Sequence, residues 1–247
     1  MQASASTWVY NLALDLARLL ITHQPVKGVF VPYRGHLQWL DDTVPVVKSR
    51  GVDAPTEASL SRRAHAIIIS IRDPRDCVAS LVKYHSLSFR EALQDVEYAA
   101  TNLADDRRAI LLRYESQFTE KLETIDQIAA VFGQGLSPDQ RNLAFRNSRR
   151  EAIEKLISKL EQCPSAQRAG NDIYDAERHW HKVHANRTGA IGKWRDNLTP
   201  RDVARIELRL AHRMREFGYL PGTKPKLIDR AADLFERFRP TMSLRGV

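Results

Sequence analysis

Apolar and polar positions alternate along this chain in short blocks. Runs at 29–31, 44–47, 66–70 and 109–112 are brief, β-branched and nearly free of charge, the pattern of strands buried on both faces. Between them, apolar residues recur at helical spacing. Trp8, Leu12, Leu16 and Leu19 form one stripe, and segments 88–103 and 117–132 carry others, the last stopping at Gly133. Ser137-Pro138 opens a helical region running to about 160, and 163–171 reads as a loop. Thr199-Pro200-Arg201-Asp202 is a capping sequence. Val203, Ile206, Leu210 and Phe217 follow it on one face, with Gly218 as the stop. Strands alternating with helices predict an α/β fold built on a parallel sheet.

The most informative junction is the run from Ile67 to Ser80. A buried strand ends at Arg72, and a helix begins with Asp73 at the N-cap, Pro74 at its first position and Asp76 three residues after the cap. Ligands of open α/β sheets bind at the carboxyl ends of strands. An arginine there, with Ser80 in the following helix, suits a phosphate. Ser4-Ala5-Ser6-Thr7-Trp8 opens the first helix with small hydroxyl residues, whose N–H and O–H groups also suit a phosphate. Later, Arg187-Thr188-Gly189 and Gly192-Lys193-Trp194 combine glycines with basic residues, and the strand at 109–112 closes on Tyr114-Glu115-Ser116.

In this order the stretches resemble the sulfotransferases that use 3′-phosphoadenylyl sulfate (PAPS) as donor. The resemblance spans Ser4 to about Tyr219. It implies a P-loop-like three-layer fold with a central parallel sheet flanked by helices. It also implies transfer of a sulfuryl group from PAPS to a hydroxyl or amine, leaving 3′-phosphoadenosine 5′-phosphate (PAP) and needing no metal. By the same resemblance Ser4, Ala5, Ser6, Thr7 and Trp8 cradle the 5′-phosphosulfate, with Trp8 near the adenine. Arg72, Ser80, Arg187, Thr188 and Gly189 hold the 3′-phosphate side, and Tyr114 lies by the adenine. Lys48, in Val46-Val47-Lys48-Ser49-Arg50, matches the lysine that touches the transferring sulfate. The histidine base that follows this lysine in cytosolic members has no counterpart here; His36, after a predicted strand, is a place where an acceptor or base could sit. The family's basic residue and glycine in the first loop are Ala3 and Ala5 here.

A phosphate loop of this type follows a buried strand, yet only three residues precede Ser4. The expectation is therefore that the first strand lies upstream of Met1, in a polypeptide that begins earlier. His179, His181 and His184 cluster around Trp180, and a loop packed near the nucleotide suits them better than a metal.

At 247 residues and 43% hydrophobic side chains, the chain reads as one domain over 1–247, with 220–247 a C-terminal basic helical extension. No apolar run approaches the roughly 18 residues of a membrane span. Cys77 and Cys163 are isolated, which fits a reducing, cytoplasmic setting. The net charge of +8 is concentrated from Arg187 onward, where 14 Lys or Arg face 7 Asp or Glu. A polyanionic nucleotide explains this surplus as well as nucleic acid does, and no nucleic-acid motif accompanies it. Partners are then a nucleotide donor and an unidentified acceptor (carbohydrate, lipid or small molecule), with homo-oligomer formation open. The rival readings are a catalytically impaired nucleotide-binding homologue and a P-loop kinase; the kinase is disfavoured because no G-x-x-x-x-G-K-[ST] run occurs.

Overall fold

The computed structural model describes residues 4–31, 43–49, 54–101, 108–169, 172–182 and 189–222. The chain divides into two compact units, Met1–Arg72 with Tyr98–Ile191, and Asp73–Glu97 with Gly192–Val247.

In the first unit, helix α1 (Ser6–Leu20) is the hub. The sequence predicts a helix with one apolar stripe, but α1 is buried almost all round, from Thr7 to Leu14 and at Leu16, Ala17 and Leu20, while Leu19 is exposed. Its neighbours account for this. It packs on β1 (Val26–Val31), β2 (Val44–Ser49) and β3 (Ile67–Ile71), and on α5 (Leu122–Ala130) and α6 (Pro138–Ser148). Strands β1 and β2 pair in parallel, with Phe30 opposite Lys48. Helix α2 (Ala54–Arg63) precedes β3, and β3 and β4 (Ala109–Arg113) form a second parallel pair. Among the described residues these are two separate pairs, not one continuous ladder. Trp8, Leu12, Leu16, Phe118, Ile125 and Ile128 form part of the core that α1 shares with α5.

Three local readings are corrected. Segment 117–132 is not one helix: Gln117 takes a left-handed conformation (φ 53°) between two 3₁₀ turns, so α5 starts only at Leu122. The region 138–160 breaks at Arg149, whose extended backbone separates α6 from α7 (Arg150–Ser158). The predicted loop at 163–171 contains β5 (Ala166–Ala169), antiparallel to β6 (Asp172–Asp175). This small hairpin lacks the apolar alternation that would announce it.

The second unit holds α3 (Pro74–His85), most of α4 (Phe89–Thr101), α8 (Trp194–Asn197) and α9 (Pro200–Glu216). Asp73 caps α3 by accepting from Arg75 N, and Thr199 with Asp202 forms the capping box of α9. Helix α3 packs on α8 and α9. Beneath the packing lies an ion network: the buried Arg75 donates to Asp73 and, at 2.6 Å, to Glu207 Oε1, which also accepts from Gly222 N. These partners, with the Asp73 hydrogen bonds ahead of the Glu207 contact, raise the arginine above its ordinary value although burial, the largest single effect, works the other way.

Candidate functional site

The start of α1 has no side-chain cap. Ala5 precedes the helix in the left-handed region (φ 61°, ψ 26°). The first N–H groups of a helix have no intrahelical acceptor, so Ser6, Thr7 and Trp8 present theirs at the helix mouth. Ser4 Oγ lies 2.9 Å from Ser70 Oγ, both buried, which ties this loop to β3. Lys48, only 4% exposed, donates from Nζ to Thr7 Oγ1 at 2.6 Å. Lysines are almost never buried so fully without a partner or a task. The strand register accounts for its position: Lys48 is opposite Phe30 in the β1–β2 ladder, and its ammonium stands over the Phe30 ring at 5.6 Å and the Tyr10 ring at 5.9 Å.

A second group gathers at the carboxyl end of β3, still within the first unit. The Arg72 guanidinium is buried over the Tyr114 ring at 4.5 Å and donates to Ala190 O at 2.9 Å. Tyr114 Oη in turn donates to Gly189 O at 2.8 Å. Gly189 has φ 60°, and a Cβ there would meet Tyr114 Oη at 2.3 Å. Only glycine suits both the dihedral and the close approach. The structure thus joins three residues that are far apart in sequence, Arg72, Tyr114 and Gly189.

Trp8 sits in the core, its ring 5.6 Å from Phe118 and its Nε1 donating to Ser148 O. Ser80 lies in α3 of the second unit. His36, Arg187 and Thr188, and the extension beyond 222, lie outside the described residues. A cavity of about 540 Å³ runs along α1 toward α6 and α7, lined by Leu12, Leu16, Leu143 and Trp180 among others; neither Lys48 nor Arg72 lines it.

Sequence reading missed two anchors. Asp76, which reads as a helix-capping residue, is buried and accepts from Gly192 N at 2.7 Å and Trp194 N at 2.9 Å, so it holds the start of α8. Asp175 does the same for the turn after β6: its Oδ1 accepts from Ser165 Oγ, Glu177 N and Arg178 N. Burial pushes this carboxyl up, but those hydrogen bonds prevail and hold it below the ordinary carboxylate value. Tyr10 reaches the same turn, passing over Gly28 to donate to Glu177 O, and burial followed by the Glu177 charge pushes its hydroxyl up to about 12.

No protein-family model and no curated protein sequence matches the chain. Its backbone is similar to that of the mouse sulfotransferase SULT7A1 complexed with PAP, with a TM-score of 0.57 over 87% of this chain and 81% of that one. The chain has the sulfotransferase fold. Sequence identity to that structure is 12%, so the likeness is one of architecture.

Proposed function

We propose that the chain transfers a sulfuryl group from PAPS to a hydroxyl or amine acceptor. The observation that carries this reading is the buried Lys48 ammonium bound to Thr7 at the mouth of α1, on a fold shared with a PAP-binding sulfotransferase. Sulfuryl transfer proceeds by in-line attack of the acceptor on sulfur while the nucleotide phosphate leaves. Like phosphoryl transfer, it is served by positioning and by donors aimed at developing charge. In this reading Ser4, Ser6 and Thr7 hold the 5′ end, and Lys48 offsets the charge growing on the bridging oxygen. Arg72, braced by Tyr114 and Gly189, takes the 3′-phosphate. The assignment of Ser80, Arg187 and Thr188 to that phosphate rests on the sequence resemblance.

Calorimetric titration with PAP and with adenosine 5′-phosphosulfate tests the assignment. Arg72→Ala should weaken PAP binding by about 2–4 kcal/mol, as for removing one side of a desolvated charge pair. Adenosine 5′-phosphosulfate lacks the 3′-phosphate, so its binding should change much less. Equal losses for both nucleotides would refute the role given to Arg72. A chain that binds PAP yet never consumes labelled PAPS in an acceptor screen would be a nucleotide-binding homologue without transferase activity.

A further inference from the structure

The turn that follows β6 is tightly determined. His179 N donates to Asp175 O at 2.8 Å and Asp175 N donates to Trp180 O at 2.9 Å, while the Asp175 carboxylate gathers the intervening N–H groups. This closure forces His179 to φ 55°. Glycine is the usual occupant of that region, because a Cβ is strained there. Strained side chains that the surroundings hold in place concentrate at functional sites.

The strain delivers the imidazole to one particular place. Its ring centre lies 4.4 Å from that of Phe30 and 6.0 Å from that of Tyr10. These are the two rings over which the Lys48 ammonium stands, and Phe30 is the cross-strand neighbour of Lys48. Imidazole and ammonium therefore neighbour the same two rings, in the same unit, and the ammonium also reaches Thr7 in the first turn of α1. Tyr10 is unsuited to accept a proton there, since its hydroxyl already donates to Glu177 O. The charged groups around the turn are Asp175, Glu177 and Arg178 on the turn itself, Asp15 and Arg18 from α1, and Lys48 from β2.

We infer that His179 is the general base of the reaction, an inference that rests on the transferase reading above. As the acceptor oxygen forms its bond to sulfur, its proton passes to the His179 imidazole. The bond from sulfur to the bridging oxygen breaks, and its electron pair stays on the 5′-phosphate of the departing PAP. The Lys48 ammonium offsets that charge. A positioned base contributes typically 10²–10⁴-fold.

Three variants test this: His179→Gly, His179→Asn and His179→Gln. Glycine relieves the strain and asparagine tolerates it, so His179→Gly should unfold at the same or a higher denaturant concentration than the parent. PAP affinity, read by calorimetry, should stay within about twofold. Turnover of labelled PAPS with water and with phenol, acceptors that keep their proton at neutral pH, should fall roughly 10²–10⁴-fold in all three. Added imidazole should restore turnover to His179→Gly only, since that variant alone leaves room for it. Parental turnover in His179→Gly would overturn the inference, as would a loss that imidazole does not reverse. A parent chain that binds PAP but turns over neither acceptor would overturn it too, leaving nucleotide binding intact. A parent chain that does not bind PAP would overturn the transferase reading, and this inference with it.

Discussion

Replacing Gly189 by alanine strikes the arginine side of the site without touching any charge. The new Cβ would lie 2.3 Å from Tyr114 Oη, far inside contact distance, and at φ 60° the residue itself would be strained. Left-handed backbone costs an L-residue about 1–2 kcal/mol. Moving the tyrosine away forfeits its hydrogen bond to Gly189 O, a net loss of about 0.5–1.5 kcal/mol. It also removes the ring beneath Arg72, worth about 0.5–2 kcal/mol. If the clash is relieved by local opening, these costs are felt at the site more than in global unfolding. Gly189→Ala should therefore weaken PAP by about 2–4 kcal/mol in a calorimetric titration while the urea midpoint moves little. The second arm is Tyr114→Phe, which removes the clashing oxygen. In the double variant the steric part should vanish, leaving a coupling energy of about 0.5–3 kcal/mol between the two positions. Strict additivity, or a Gly189→Ala chain that binds PAP like the parent, would refute the reasoning.

Glu207→Ala leaves the buried Arg75 with Asp73, a long 3.4 Å hydrogen bond to Leu220 O and the Trp194 ring, and deprives Gly222 N of its acceptor, so urea unfolding should show a loss of about 3–5 kcal/mol. A loss below about 1 kcal/mol would mean that water replaces the carboxylate. Ala5→Gly relieves the left-handed residue before α1 and should stabilise the chain by about 0.5–1 kcal/mol net of the extra freedom of the unfolded glycine, with no loss of PAP affinity. Asp175 is held below its ordinary value of 3.8, so its stabilising contribution is complete above about pH 4 and drains away as pH falls through the lower folded value. Asp175→Asn should be less stable than the parent at pH 7, and the difference should narrow in acid unfolding curves taken toward pH 2.

What the sequence revealed was local. The strands β1 to β4 and the caps at Asp73 and Thr199 depend on residues a few positions apart, and the structure has them close to where the pattern predicts. Arg72 and Lys48 were legible as candidates because each ends or follows a short apolar run. Nothing local could pair Lys48 with Thr7 or Tyr114 with Gly189, which meet across 41 and 75 positions. Asp76 shows the difficulty best: its spacing marks a helix cap, while its carboxylate serves N–H groups 116 and 118 residues away. The hairpin of β5 and β6 escaped notice because its strands are four residues long and polar. His179 gave only a composition signal, a histidine among histidines; its positive φ is set by the Asp175 turn and has no signature in sequence.

The near-complete burial of α1 has a consequence for how this chain can vary. One helix supplies at its head the Thr7 hydroxyl to which Lys48 donates, and along its length the packing hub of the first unit. Substitutions at its buried positions from Thr7 to Leu20 therefore cannot tune the proposed nucleotide affinity and abundance independently, because they displace core atoms. In a deep mutational scan the two deficits should coincide along this helix. At Arg72 and Gly189 they should separate, with ligand affinity falling while the level of folded protein holds. Adaptation to a new donor or acceptor would thus have its freedom at the strand ends and loops, with α1 held fixed.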